Sequence, residues 1–204
     1  MAEPGLRDRK KARTRRLIAD TAARLFAERG YERVTVSEIA RAAEVAEQTL
    51  YNYFPTKEEL VTDREEQIQQ RLSDLIRARP PGTSPAAAIR DFVLETVSAI
   101  RDTEPEIGKG TLGSLAAISP AINRLVLELT DRQATALAEA IAETSPIAPE
   151  IARLQGIALA AVFRIVISES GRRSHAGQTP AQIADALEPQ IATILTELDR
   201  WLTP

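Results

Sequence analysis

The chain of 204 residues has no cysteine, so it forms neither a disulfide nor a thiolate metal site. It has a single histidine, His175, in the segment Gly171-Arg172-Arg173-Ser174-His175-Ala176-Gly177, which reads as a surface loop. No Ser/His/Asp order, His-x-x-x-His pair or phosphate-cradling glycine loop is visible. The expectation is therefore a protein that is not an enzyme, with no cofactor and no metal. Aromatic residues make up 4% and no Val/Thr/Tyr-rich alternating run occurs, which argues against sheet. The most apolar stretch, Gly156 to Ile167, is interrupted by Arg164 and falls short of the roughly 20 residues that span a bilayer. No apolar segment follows the first basic residues as a secretory signal would require, so a cytoplasmic location without a membrane anchor is expected.

What is present is ordinary for a folded protein: 44% hydrophobic and 27% charged residues, with Ala, Leu, Ile and Glu abundant. That composition favours an all-α fold. The formal charge is -3, yet Arg7, Arg9, Lys10, Lys11, Arg13, Arg15 and Arg16 lie within one short run against Asp8 alone. Such a run is either a solvated arm or an electrostatic footprint for nucleic acid.

Helix signals recur along the chain. Leu17, Ile18, Ala22, Leu25 and Phe26 keep helical spacing up to Gly30, and Thr35-x-x-Glu38 forms a capping box for a short second helix ending near Ala43. A third short helix runs from Glu47 to Phe54. Thr56-x-x-Glu59 then opens a long fourth helix near Lys57, which Pro80-Pro81-Gly82 must stop. Ser84-Pro85, Ser119-Pro120 and Thr179-Pro180 are N-caps with proline at the first helical position, and Ala148-Pro149 is a weaker case. Stops at Pro105, Pro146 and Gly171 bring the expected total to about nine helices.

Two of these carry information on assembly. Ile157 to Ile167 is apolar almost all round, so something must cover both faces. The last helix repeats Ile183, Leu187, Ile191, Ile194, Leu195, Leu198 and Leu202, with Pro189 inside it. A twin subunit is the economical cover, the chain's own core the other. On the first view Ile157, Ala161, Ile165, Ile191, Leu195 and Leu198 meet their copies in an intersubunit four-helix bundle.

The segment with functional content is the second and third helices. Ala40, Val45 and Leu50 lie where the helices of a helix-turn-helix press together. With Leu50 and Phe54 inward, Glu47, Gln48, Tyr51 and Asn52 form the opposite face. Gln48 and Asn52 each match the N6/N7 edge of adenine, Glu47 is able to accept from cytosine N4, and Tyr51 suits a thymine methyl or a phosphate. Tyr53 and Lys57 stand at the junction of helices three and four, where Lys57 and the helix amides make a phosphate site, and Thr35 and Ser37 offer the same at helix two.

From Arg13 to Leu60, and above all in Thr35-Val36-Ser37-Glu38-Ile39-Ala40 and Thr49-Leu50-Tyr51-Asn52-Tyr53-Phe54-Pro55-Thr56-Lys57-Glu58-Glu59-Leu60, the chain resembles the TetR family. The resemblance implies a DNA-binding domain over residues 1–55, comprising the basic arm and the helix-turn-helix, and a helical ligand-binding and dimerisation domain over 56–204. It puts Gln48, Thr49, Tyr51, Asn52 and Tyr53 on the recognition helix and Thr35, Ser37 and Lys57 at backbone-contact positions. It further implies a homodimer on palindromic operator DNA, a small-molecule effector whose pocket residues are unknown, and repression as the usual output. Glu44 stands where the family has a turn glycine, Ala46 where it has a small hydroxyl residue, and Glu47 where a basic or small residue is common. The rival reading is a helical adaptor whose basic arm meets an acidic protein surface.

Overall fold

Each strong start signal in the sequence opens a helix. A computed structural model describes residues 5–63 and 65–203, so residues 1–4, at the head of the expected first domain, and Pro204, at the end of the second, lie outside it. Among the described residues there is no strand, and the elements are α1 (Leu6–Arg29), α2 (Val36–Ala42), α3 (Glu47–Tyr53), α4 (Glu59–Thr62), α5 (Glu65–Arg77), α6 (Pro85–Ser98), α7 (Pro105–Gly108), α8 (Leu112–Ala116), α9 (Pro120–Thr144), α10 (Pro149–His175) and α11 (Pro180–Leu202). The hydroxyls of Thr35, Ser84, Ser119 and Thr179 accept from the N–H three residues on, satisfying amides that have no carbonyl partner in a first turn. Thr35 with Glu38 and Thr179 with Gln182 complete reciprocal capping boxes.

Two expectations are corrected. Gly171 does not stop a helix: it lies inside α10, and a Cβ there would stand 2.0 Å from the Gly113 carbonyl oxygen, so glycine serves close packing of α10 on α8. The helix continues to His175, and the turn is made at Gly177, with φ 82°. His175 is accordingly no loop residue; it ends α10, exposed, with Nε2 2.8 Å from the carbonyl oxygen of Ser114. The helix expected from Lys57 is described in two parts, α4 and α5. Between them Asp63 keeps helical angles (φ -49°, ψ -30°).

The described helices bury two clusters. One gathers Leu72, Ile76, Ile89, Val93, Leu137, Ile141, Leu159, Leu187, Ile191 and Leu195 from α5, α6 and α9 to α11. The other joins Ile18, Ala22, Phe26, Ile39, Leu50 and Phe54 of the first three helices to Leu112, Leu115, Ile122 and Val126 of α8 and α9. The front helices thus share a core with part of the body, and Gly110 rests so closely on α1 that a Cβ would overlap the Ala23 carbonyl. α10 is long and apolar enough to cross a membrane, with mean hydropathy 1.7 over its most apolar window, a property that core helices also have.

Candidate nucleic-acid interface

The turn between α2 and α3 is tight. Val45 N–H donates to the Ala40 carbonyl (3.0 Å), Glu44 N–H to that of Arg41 (3.2 Å), and Glu44 takes φ 54°, the left-handed angle that glycine adopts without strain. Ala46, as its side chain dictates, gives α3 no cap. Ile39, Ala40, Leu50 and Phe54 are buried, and this fixes which way α3 faces. Glu47, Gln48, Tyr51 and Asn52 are exposed on its other side, Tyr51 at 43%, while Thr49 and Tyr53 are half-buried at the flanks.

These polar groups are partly paired with one another. Gln48 Nε2 donates to Asn52 Oδ1 (3.3 Å), which leaves the Gln48 carbonyl and the Asn52 amide directed to other partners. Ser37 Oγ donates to Glu47 Oε1 (2.5 Å), joining α2 to α3 and engaging one oxygen of the only acid on the exposed face. Thr35 N–H donates to Glu38 (2.8 Å), and this bond, with that of the Thr35 hydroxyl, holds the Glu38 carboxyl below its ordinary value. Lys57 departs from its expected place. Its Nζ donates to the Tyr31 carbonyl (2.6 Å) and stands 4.2 Å from the Tyr31 ring centroid, so in this structure the ammonium braces the front core instead of facing outward. Burial lowers its pKa, opposed by Glu32 and Glu58.

Arg15 is a residue whose part the sequence conceals, because it lies in a run of similar cations. Its Nε donates to Asp63 (2.5 Å) and its Nη1 to the Tyr53 carbonyl (2.7 Å), and its guanidinium lies 4.4 Å from the Phe54 ring centroid. It therefore ties α1 to the last turn of α3 and to the residue after α4. Behind the exposed face of α3, Ser119 donates to Glu32 and Arg24 pairs with Glu104 (3.0 Å), linking the front helices to the body. The Ser119 bond is the main reason that the Glu32 carboxyl sits below its usual value.

The expected dimerisation residues fall into two groups. Ile157 is 50% exposed, Ala161 half-buried and Ile165 exposed, and Ile151 and Leu154 extend the same apolar stripe of α10. Ile191 and Leu195 are fully buried in the chain's own core, so no second chain touches them; Ile194 and Leu198 are half-buried against that same core, and Trp201 is exposed. Leu112, Leu115 and Ile122 of the body lie in the front core, and Phe163 and Phe92 pack in the other. An open groove of about 640 Å³ lies between α6 and α11, lined by Asp91, Leu94, Glu95, Glu188, Pro189 and Ala192. Among the described residues no group of three or more His, Asp or Glu is disposed to hold a metal ion.

Residues 18–63, which include α2, the turn and α3, match the sequence model of the bacterial regulatory proteins, tetR family. The chain is 30% identical over 151 residues to the HTH-type transcriptional regulator TcmR of Streptomyces glaucescens, a match covering 74% of this chain and 62% of that protein. It is 32% identical over 100 residues to the nucleoid occlusion factor SlmA of Haemophilus ducreyi, covering 48% of this chain and 50% of that one. The matches thus span between half and two thirds of these relatives' lengths. In fold it is similar to native NalD, the secondary repressor of the MexAB-OprM multidrug efflux pump in Pseudomonas aeruginosa, with TM-score 0.57 at 21% identity over 94% of this chain and 98% of that one. A transcriptional regulator from Aquifex aeolicus gives TM-score 0.50 at 17% identity, over 91% and 99%. The matched segment is the helix-turn-helix whose geometry is described above, and over residues 18–63 the chain carries the sequence pattern of the tetR family of bacterial regulatory proteins.

Proposed function

We propose that the protein is a transcription regulator, with repression as its output, that binds a palindromic operator as a homodimer and is released by a small molecule. The observation that carries this reading is the outward face of α3, where Glu47, Gln48, Tyr51 and Asn52 lie exposed over a fully buried Leu50. A helix set so on a buried seat has the shape that enters a major groove, and its amides have the donor–acceptor pairs that base edges present. Thr35, Ser37, Thr49 and Tyr53 flank that face and suit backbone contacts. Residues 1–55 act as the DNA-binding domain and 56–204 as the regulatory one. The site of action is the cytoplasm, where the DNA is.

The exposed stripe Ile151, Leu154, Ile157 and Ile165, with half-buried Ala161 beside it and exposed Trp201 on α11, supports a second copy as the cover of α10 and α11. An effector releases DNA only by preferring the conformation that does not bind it, with coupling of about 1–3 kcal/mol. The groove between α6 and α11 has a volume in the range of small-molecule sites. An enzymatic reading finds no support in a family of regulators. The test is selection of duplexes by the purified protein from a random-sequence pool. Recovery of a two-fold symmetric sequence is expected, and Gln48→Ala should lower discrimination at one position in each half by about 1–3 kcal/mol. Recovery of unrelated duplexes, bound equally well, would exclude a sequence reader and favour the adaptor.

A further inference from the structure

Glu47 opens α3, and its exposed carboxylate is the only charged group on that helix, which has no Lys or Arg. Oε1 accepts from the Ser37 hydroxyl (2.5 Å), while among the described residues Oε2 meets no donor. Ser37 lies in the first turn of α2, whose backbone the Thr35–Glu38 capping box holds, and α2 meets α3 through the turn closed by Val45 N–H on the Ala40 carbonyl. One oxygen of a rotatable side chain is thus anchored to the neighbouring helix and the other is left without a partner. A carboxylate only accepts hydrogen bonds, and phosphates repel it, so close to a duplex it costs binding wherever it finds no donor. In the major groove the donors are the amino groups at cytosine N4 and adenine N6, whereas guanine and thymine present acceptors. Adenine sets its N7 acceptor beside the amino group, against a carboxylate; cytosine has only a C–H there.

We propose that Glu47 is a specificity-determining residue that demands cytosine at one position in each operator half and rejects the other bases there, with Ser37 as the positioning residue that fixes its carboxylate. The inference rests on α3 being the element that enters the groove. Its neighbours on the exposed face differ in kind. Gln48, Asn52 and Tyr51 each donate as well as accept, so each adapts to several bases, and Glu47 alone does not. Its charge therefore works mainly by exclusion, because an unrelated duplex with no amino group in register meets an unpaired carboxylate. The bond to Ser37 sharpens that exclusion by keeping the carboxylate from turning aside to water.

In the experiment the full chain, Glu47→Ala and Glu47→Gln each select duplexes from a random-sequence pool, with circular dichroism to check that each is folded. The wild type should recover cytosine at one position in each half, and Glu47→Ala should show no preference there. Glu47→Gln should recover adenine, since an amide of the same shape keeps an oxygen for Ser37 and suits N6 and N7 together. N4-methylcytosine at that position still pairs with guanine but puts a methyl group in place of the major-groove N–H. It should weaken binding by the wild type about tenfold and leave Glu47→Ala unaffected. Glu47→Ala should also bind unrelated duplexes more tightly than the wild type does, which a loss of folding would not produce. Ser37→Ala should lower the preference for cytosine, and Ser37→Thr, which keeps the hydroxyl, should retain it. The same selected sequence for all three proteins, a base other than cytosine where they differ, or an N4-methyl group without effect overturns the assignment of Glu47. Undiminished discrimination by Ser37→Ala overturns that of Ser37. A wild type that selects no sequence overturns instead the reading of α3 on which both rest.

Discussion

Glu44 occupies the tightest point of the helix-turn-helix with φ 54°, where its Cβ crowds the backbone as glycine would not. Glu44→Gly is therefore expected to stabilise the protein by about 1 kcal/mol despite the greater freedom of a glycine in the unfolded chain, as read from the midpoint of urea unfolding. An unchanged or lower midpoint would mean that the Glu44 side chain makes up for its strain. The sequence shows that a non-glycine sits there but not the angle it must adopt. Lys57 teaches the complementary lesson. Its place at the head of the fourth helix is legible, whereas its partner, the Tyr31 carbonyl, lies far back in the chain and leaves no local pattern. Gln48 and Asn52, four residues apart on one helix, are the opposite case: their pairing follows from helical spacing alone.

At the level of elements, what could be read was what local chemistry decides. Thr35, Ser84, Ser119 and Thr179 cap helices because a hydroxyl and the amide three residues on suffice to do so. Gly171 could not be read, since a glycine that ends a helix and one that lets two helices touch look alike until Gly113 is seen against it. α7 and α8 are too short to show a period. Apolar spacing on α11 identified a buried face, yet not that the chain itself buries Ile191 and Leu195.

The carboxylates of Glu32 and Glu38 carry a pH signature for the front helices. Both are held below their ordinary value of 4.5, by the Ser119 hydroxyl and by Thr35 respectively. A carboxyl with a depressed folded value adds stability above its unfolded value, and this is lost as pH falls through the folded one. Ser119→Ala should thus be less stable than wild type at neutral pH, by the bond to Glu32 and the cap on α9 together. The part due to Glu32 should fade below about pH 4.5, so the gap in urea midpoints narrows on acidification. A gap independent of pH would assign the whole effect to the cap.

On the scale of the whole molecule, the front helices are not a separate bead. Leu112, Leu115, Ile122 and Val126 complete their core, Gly110 lies on the backbone of α1, and Arg24–Glu104 and Ser119–Glu32 add polar ties. Movement of α7, α8 or the start of α9 therefore has to be taken up by α1 and, through Arg15, by α3. An effector bound in the body, as proposed above, would have a physical route to α3. The uncovered stripe on α10 points the same way at larger scale, because two such chains joined through it would present two reading faces at a fixed separation.

The absence of cysteine makes the most direct test simple. A single cysteine placed by Tyr51→Cys carries one iron chelate at the centre of the exposed face of α3, and the labelled protein is bound to a duplex it has selected. Cleavage should fall in two clusters with centres about 10 base pairs apart, symmetric about the operator dyad. A single cluster, or cuts spread evenly along the duplex, would contradict paired reading helices.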